Sequence, residues 1–144
     1  MKKTLKIVRM SEAVPMPKYD LAGDAGFGLY VNERLVVNPM ERASINTGFK
    51  MEIPAGCVGI IYERSGLSFK HGIITYGNVI DSGYRGEVHV GVFNLGKEPY
   101  VFLPGHKVAQ MIIQSYEEVK FKEVSVGQLG KSDRGERGFG STGK

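Results

Sequence analysis

The stretch EVHVGVFNL, Glu87–Leu95, sets the fold class. Successive side chains of an extended chain point to opposite faces. Val88, Val90 and Val92 therefore share one face, with His89, Gly91 and Phe93 on the other. One face is fit to be buried, as expected of a strand lying on a core. Working outward, TLKIV (Thr4–Val8) alternates in the same way, CVGIIYE (Cys57–Glu63) reads as a short, largely buried strand, and HKVAQMIIQ (His106–Gln114) gives another. ERASINTGFKMEIP carries a strand interrupted at Thr47–Gly48, where a bulge is expected, and stopped by Pro54. Only SGLSFKHG (Ser65–Gly72) admits a short helical turn. The spacing of short apolar runs between turn residues is that of an all-β sandwich or barrel.

The chain has 144 residues, enough for a single domain with its own core. Hydrophobic content of 42% and charged content of 24% fit an ordinary globular protein. No apolar run approaches the roughly 20 residues that span a bilayer. The opening MKKTLKIVRM lacks the apolar stretch of an export signal. A cytoplasmic protein without membrane partners is expected. The formal charge of +4 favours small anions. It comes without the basic stripe interleaved with aromatics that marks a nucleic-acid binder. Cys57, the single cysteine, sits in apolar surroundings and reads as a buried thiol. His71, His89 and His106 have no spacing suited to zinc.

Four stretches carry polar residues that a fold alone does not require. In YERSGLSFKHG, Arg64, Ser65 and Gly66 follow a strand directly. An arginine fork with backbone amides at such a junction can hold phosphate; a surface arginine with a serine cap reads equally. In GNVIDSGYRGEV, Asp81 follows Val79–Ile80 and precedes Ser82–Gly83, with Tyr84 beside it. We read a hairpin here, whose Asp-Ser-Gly is a turn in most chains and can also hold a carboxylate base rigidly. Gln110 interrupts an apolar strand and needs a partner, structural or ligand. The tail RGERGFGSTG (Arg134–Gly143) mimics a phosphate-binding loop, but Ser141 stands where lysine is needed and no helix can follow. Its arginine, aromatic ring and hydroxyls suit a glycine-hinged clamp on a nucleotide.

Five stretches together, AGDAGFGLY (Ala22–Tyr30), RSGLS (Arg64–Ser68), GNVIDSGYRGE (Gly77–Glu87), GHKVAQ (Gly105–Gln110) and RGERGFGSTG, resemble the trimeric deoxyuridine triphosphatase (dUTPase) family in order and spacing. The resemblance implies a jelly-roll-like distorted β-barrel over residues 1–126. It also implies a flexible C-terminal arm over 127–144 that closes on a neighbouring subunit's site in a homotrimer. It implies Mg²⁺-assisted hydrolysis of dUTP to dUMP and pyrophosphate by attack of water on the α-phosphorus. Such a reaction limits uracil in DNA and supplies dUMP for dTMP synthesis. Asp81 matches the family's base. Arg64, Ser65 and Gly66 match the phosphate turn, and Gln110 the polar residue near the α-phosphate. The backbone of Gly77, Asn78, Val79 and Ile80 matches the uracil reader, and Tyr84 the ring that excludes a ribose. Arg134, Gly140, Ser141 and Thr142 match the distal-phosphate clamp, with Phe139 stacked on the base.

The chain departs from the pattern at two acidic positions. Gly28 stands where the family has an aspartate near the water shell of Mg²⁺, and His106 replaces an aspartate in GHKVAQ. No residue is thus assigned as a direct metal ligand; Mg²⁺ is expected through substrate phosphates and water. Asp24 would lie about 13 Å from residue 28 if the segment ran straight. Losing such outer groups costs about 10–100-fold in metal affinity or activity, and Gly28→Asp is expected to lower the Mg²⁺ requirement. A weakened relative that binds nucleotide as a signal is the alternative reading.

Overall fold

In a computed structural model, which describes residues 3–138, the valine face of Glu87–Leu95 is sealed: Val88, Val90 and Val92 are all 0% exposed. The described residues form ten strands and one α-helix. They are β1 (Lys6–Arg9), β2 (Phe27–Tyr30), β3 (Leu35–Val37), β4 (Arg42–Glu52), β5 (Cys57–Glu63), α1 (Ser65–His71), β6 (Ile73–Tyr76), β7 (Val79–Ile80), β8 (Glu87–Asn94), β9 (Tyr100–Phe102) and β10 (Lys107–Ser115). Two four-stranded sheets, ordered β1-β4-β8-β6 and β2-β10-β5-β7, are accompanied by the β3-β9 ribbon. Every pairing is antiparallel. This is the all-β, jelly-roll-like architecture expected.

The core comes from the inward faces of both sheets. Ile45, Phe49 and Met51 of β4 join the β8 valines from one, and Phe27, Leu29, Ile61, Ala109 and Met111 come from the other. Burying one such large side chain contributes about 1.5–3 kcal/mol. The fully buried Asn94 is paired on both sides of its amide: Nδ2 donates to the carbonyls of Val37 and Glu98, and Oδ1 accepts from Gly96 N–H.

The bulge falls where the sequence places it. Register between β4 and β8 breaks between Asn46 and Lys50. Gly48 takes φ of +72°, a left-handed value that glycine alone adopts cheaply. The backbone groups freed there are satisfied: Gly48 N–H donates to Glu87 Oε1 at 2.9 Å, and Thr47 Oγ1 donates to the Val88 carbonyl at 2.7 Å. The helical turn is also present, and Gly72 ends α1 at φ of +70°.

Two expectations need correction. The Val79–Glu87 stretch is no hairpin. β7 pairs with β5 in one sheet, while β8 pairs with β4 and β6 in the other. Alternation identifies a strand but not its partner; the turn at Asp81 therefore crosses between sheets. The second correction concerns residues 18–28, which do not run straight. Gly28 N–H reaches back to the Lys18 carbonyl at 3.5 Å, and Leu21 N–H donates to Asp24 Oδ2 at 2.9 Å. The loop closes on itself, and Asp20 and Asp24 line the same cavity as Gly28.

After Ser115 the chain carries no further strand among the described residues; 116–138 are exposed throughout, with one 3-10 turn at Val126–Gln128. No described helix is long and apolar enough to cross a membrane.

Candidate active site

β5, β10 and β2 build the first half of the site. Arg64 leaves β5 in extended conformation and serves as the N-cap of α1. The amides of Ser65 and Gly66 then open the helix, where backbone N–H groups have no intrahelical acceptor. On β10, Gln110 pairs in register with Gly28 of β2 and with Tyr62 of β5. Its Nε2 donates to the Glu63 carbonyl at 3.1 Å. Its Oε1 lies over Gly26, where a Cβ would come within 2.9 Å. The partner that Gln110 required is thus a backbone carbonyl, and its amide oxygen stays available as an acceptor. Arg64, Ser65, Gln110, Gly26, Gly28, Lys107, Asp20 and Asp24 all line one polar cavity of about 410 Å³, the size of a small-ligand site.

Lys107 bonds Asp20 here, and Arg64 Nη1 donates to the Lys107 carbonyl at 3.4 Å. That hydrogen bond from Lys107, ahead of the cost of desolvation, holds the Asp20 carboxyl below the ordinary aspartate range. The pair therefore persists through neutral pH and is lost only as pH falls through that lowered value.

The second half lies across the β7–β8 crossover. Gly77, Val79, Ile80, Asp81 and Tyr84 line a separate cavity of about 240 Å³. β7 is pinned to β5 by the Ile60–Val79 and Gly59–Ile80 pairs and by the Ile61 N–H bond to the Asn78 carbonyl at 2.9 Å. Tyr84 N–H donates to the Asp81 carbonyl at 3.1 Å, closing the turn that presents the aspartate. Among the described residues the Asp81 side chain has no hydrogen bond or ion pair, and it is exposed. Tyr84 Oη donates to the Glu87 carbonyl at 2.9 Å, and its ring covers Gly86. Asn78 Oδ1 is buried without a partner.

The two cavities share no lining residue. Arg64, Ser65 and Gln110 therefore line one cavity of the chain, and Asp81 and Tyr84 a different one. Arg134 lines neither; its Nε donates to the Arg137 carbonyl within the exposed segment. Phe139, Gly140, Ser141 and Thr142 lie outside the described residues. His106 is exposed and lines neither cavity. Cys57 is buried, as expected, with Lys3 Nζ 2.9 Å from its Sγ. Sequence reasoning missed Asp20 altogether, since its place depends on the loop closing.

The arrangement can hold a small polyanion in the first cavity and offer a free carboxylate in the second. Among the described residues no three His, Cys, Asp or Glu side chains converge as a metal cage. Two carboxylates facing a phosphate-type cavity fit a hard cation that keeps its waters and binds largely through the ligand's own phosphates.

A family model described as dUTPase matches residues 12–143. The deoxyuridine 5'-triphosphate nucleotidohydrolase of Clostridium kluyveri is 43% identical over 141 residues, covering 96% of this chain and 97% of that protein. The mouse protein of the same name is 39% identical over 141 residues, covering 98% and 86%. Among solved structures, the dUTPase of Staphylococcus bacteriophage 80alpha with dUPNHPP superposes at a TM-score of 0.92 with 28% identity, covering 99% of this chain and 100% of that one. A variant dUTPase from phage phi11 of S. aureus, which coordinates a structural Mg(II) ion, gives a TM-score of 0.81 at 26% identity, covering 88% and 100%.

Proposed function

The chain belongs to the dUTPase family, and on that premise we propose that it hydrolyses dUTP to dUMP and pyrophosphate in sites shared between the copies of a homotrimer. The observation that carries the reading is the separation of the two half-sites. Arg64, Ser65 and Gln110 face one cavity, and Asp81, Tyr84 and Val79 another. In a three-fold ring each interface is heterologous, setting one surface of a copy against a different surface of its neighbour, and such an interface brings the two cavities' residues together.

In such a site the uracil lies against the backbone of Gly77–Ile80. The deoxyribose packs on Tyr84. Arg64, with the Ser65 and Gly66 amides, takes phosphate oxygens. Gln110, oriented by the Glu63 carbonyl, accepts a hydrogen bond from the attacking water. Asp81 removes that water's proton as it attacks the α-phosphorus. Catalysis of this kind asks chiefly for position and charge. Mg²⁺, when bound with the triphosphate, supplies charge neutralisation; Asp20 and Asp24 are the carboxylates placed to hold its waters. Arg134 and the 139–142 segment close the site from another copy. The product is dUMP for dTMP synthesis, and uracil is kept from DNA, in the cytoplasm on free nucleotide.

The test is pyrophosphate release from dUTP, dCTP, dTTP and UTP, with and without Mg²⁺. Release from dUTP alone, dependent on Mg²⁺, is the expected result; no release from dUTP, or ammonia from dCTP, overturns the reading. A narrower prediction concerns the ribose. A Cβ at position 86 would lie 2.3 Å from Tyr84 Oη and 2.5 Å from its Cζ. Gly86→Ala must therefore move the ring off its seat. We expect the ratio of kcat/KM for dUTP over UTP to fall by about 10-fold or more, with dUTP turnover less affected. An unchanged ratio would mean that Tyr84 does not read the sugar.

A further inference from the structure

The carboxylate missing at position 28 has a counterpart in the same cavity. Lys107 is the link. Its stem crosses Gly28 so closely that a Cβ there would lie 2.9 Å from Lys107 Cε, 3.1 Å from Cδ and 3.3 Å from Cγ. Its ammonium meets Asp20 Oδ2. The lysine side chain is 20% exposed and the aspartate 54%, so the carboxylate is the half of the pair that faces water. The stem therefore fills the volume that a side chain on β2 would take, and the loop places an acid at the lysine's tip. The closing bond between Gly28 N–H and the Lys18 carbonyl keeps that loop over the cavity.

A carboxylate at residue 28 and one at residue 20 are thus alternative partners of one lysine in one cavity. We propose that Asp20 is the positioning residue that takes over the part of an acid at position 28, orienting Lys107 beside the phosphate cavity and presenting a carboxylate to the water shell of the nucleotide-bound Mg²⁺. This rests on the dUTPase reading. It also changes what Gly28→Asp should do. In the unaltered background the new side chain has to displace the Lys107 stem and duplicates a group already present, so the gain is small. Without the Asp20 carboxylate the same substitution has a vacancy to fill.

The experiment uses the full chain with dUpNHpp, a non-hydrolysable analogue, and Mn²⁺ as a spin-detectable substitute for Mg²⁺. Mn²⁺ affinity is titrated by electron paramagnetic resonance for the unaltered chain, Asp20→Asn, Gly28→Asp and the double variant, with Tm recorded for each without ligand. Asp20→Asn is expected to weaken Mn²⁺ binding about 10-fold while Tm stays near that of the unaltered chain. Gly28→Asp is expected to restore most of the loss in the Asp20→Asn background and to change little alone. Unchanged Mn²⁺ affinity in Asp20→Asn, a lowered Tm as its only effect, or a loss that Gly28→Asp does not repair, each overturns the proposal. If the unaltered chain hydrolyses dUTP and Asp20→Asn is silent, only this inference fails. If the unaltered chain neither binds dUpNHpp nor hydrolyses dUTP, the dUTPase reading fails and takes this one with it.

Discussion

Asp81→Asn is expected to lower kcat for dUTP by about 10²–10⁴-fold, the contribution typical of a positioned general base, while dUpNHpp binds nearly as well as to the unaltered chain. The substitution keeps size and shape and removes only the ability to take a proton. The turn that presents the residue runs through its backbone, by way of the Tyr84 N–H bond to the Asp81 carbonyl, and does not involve the carboxylate. Among the described residues the side chain has no partner to lose. Stability should therefore be unaffected, and the whole effect should fall on turnover. Steady-state pyrophosphate release and calorimetric titration with the analogue separate the two quantities. A kcat within a few-fold of the unaltered chain would remove Asp81 from the chemistry.

Deleting residues 133–144 is the second large effect. We expect kcat/KM to fall by about 10²-fold or more, the scale of loss when a group that positions the substrate is taken away. Tm should hold, because 116–138 are exposed throughout and carry no strand. The deletion also tests where the arm acts. In the proposed homotrimer, truncated chains lack the arm and Asp81→Asn chains lack the base. Co-refolding the two is expected to regain turnover that neither has alone, since a mixed trimer can bring an intact arm from one copy to an intact Asp81 on another. If the mixture stays as inactive as its parents, arm and base belong to the same chain and the shared site is wrong. If the truncated chain hydrolyses dUTP normally, the arm has no part in the reaction.

The site residues named from motifs fall into two groups, and the division is instructive. Arg64, Ser65 and Gln110 come from distant stretches and share one cavity, while Gly77, Val79, Ile80, Asp81 and Tyr84 share another. Arg64, Asp81 and Gln110 stood out as polar residues at strand ends or inside an apolar strand that demand a partner, whereas Gly77, Val79 and Ile80 were named only by the family resemblance. That the two groups line different cavities of one chain was not legible. Nor was Asp20, an acid in PKYDLAGD that looks like any exposed loop residue. Its role depends on a loop closure that no local pattern signals. The same closure lets Asp24 line one cavity with Gly28, which a straight segment does not suggest.

Local order was decided by the sequence itself. The valine alternation made β8, the glycine at position 48 made the bulge, and Gly72 ended the helix, because each is a property of a few consecutive residues and their own backbone preferences. Partnership was decided only in three dimensions. Whether β7 joins β8 or β5, and whether Lys107 meets Asp20 or an acid on β2, depends on which surfaces are left to be buried once the two sheets face each other, and side chains far apart in the chain settle that by packing and charge.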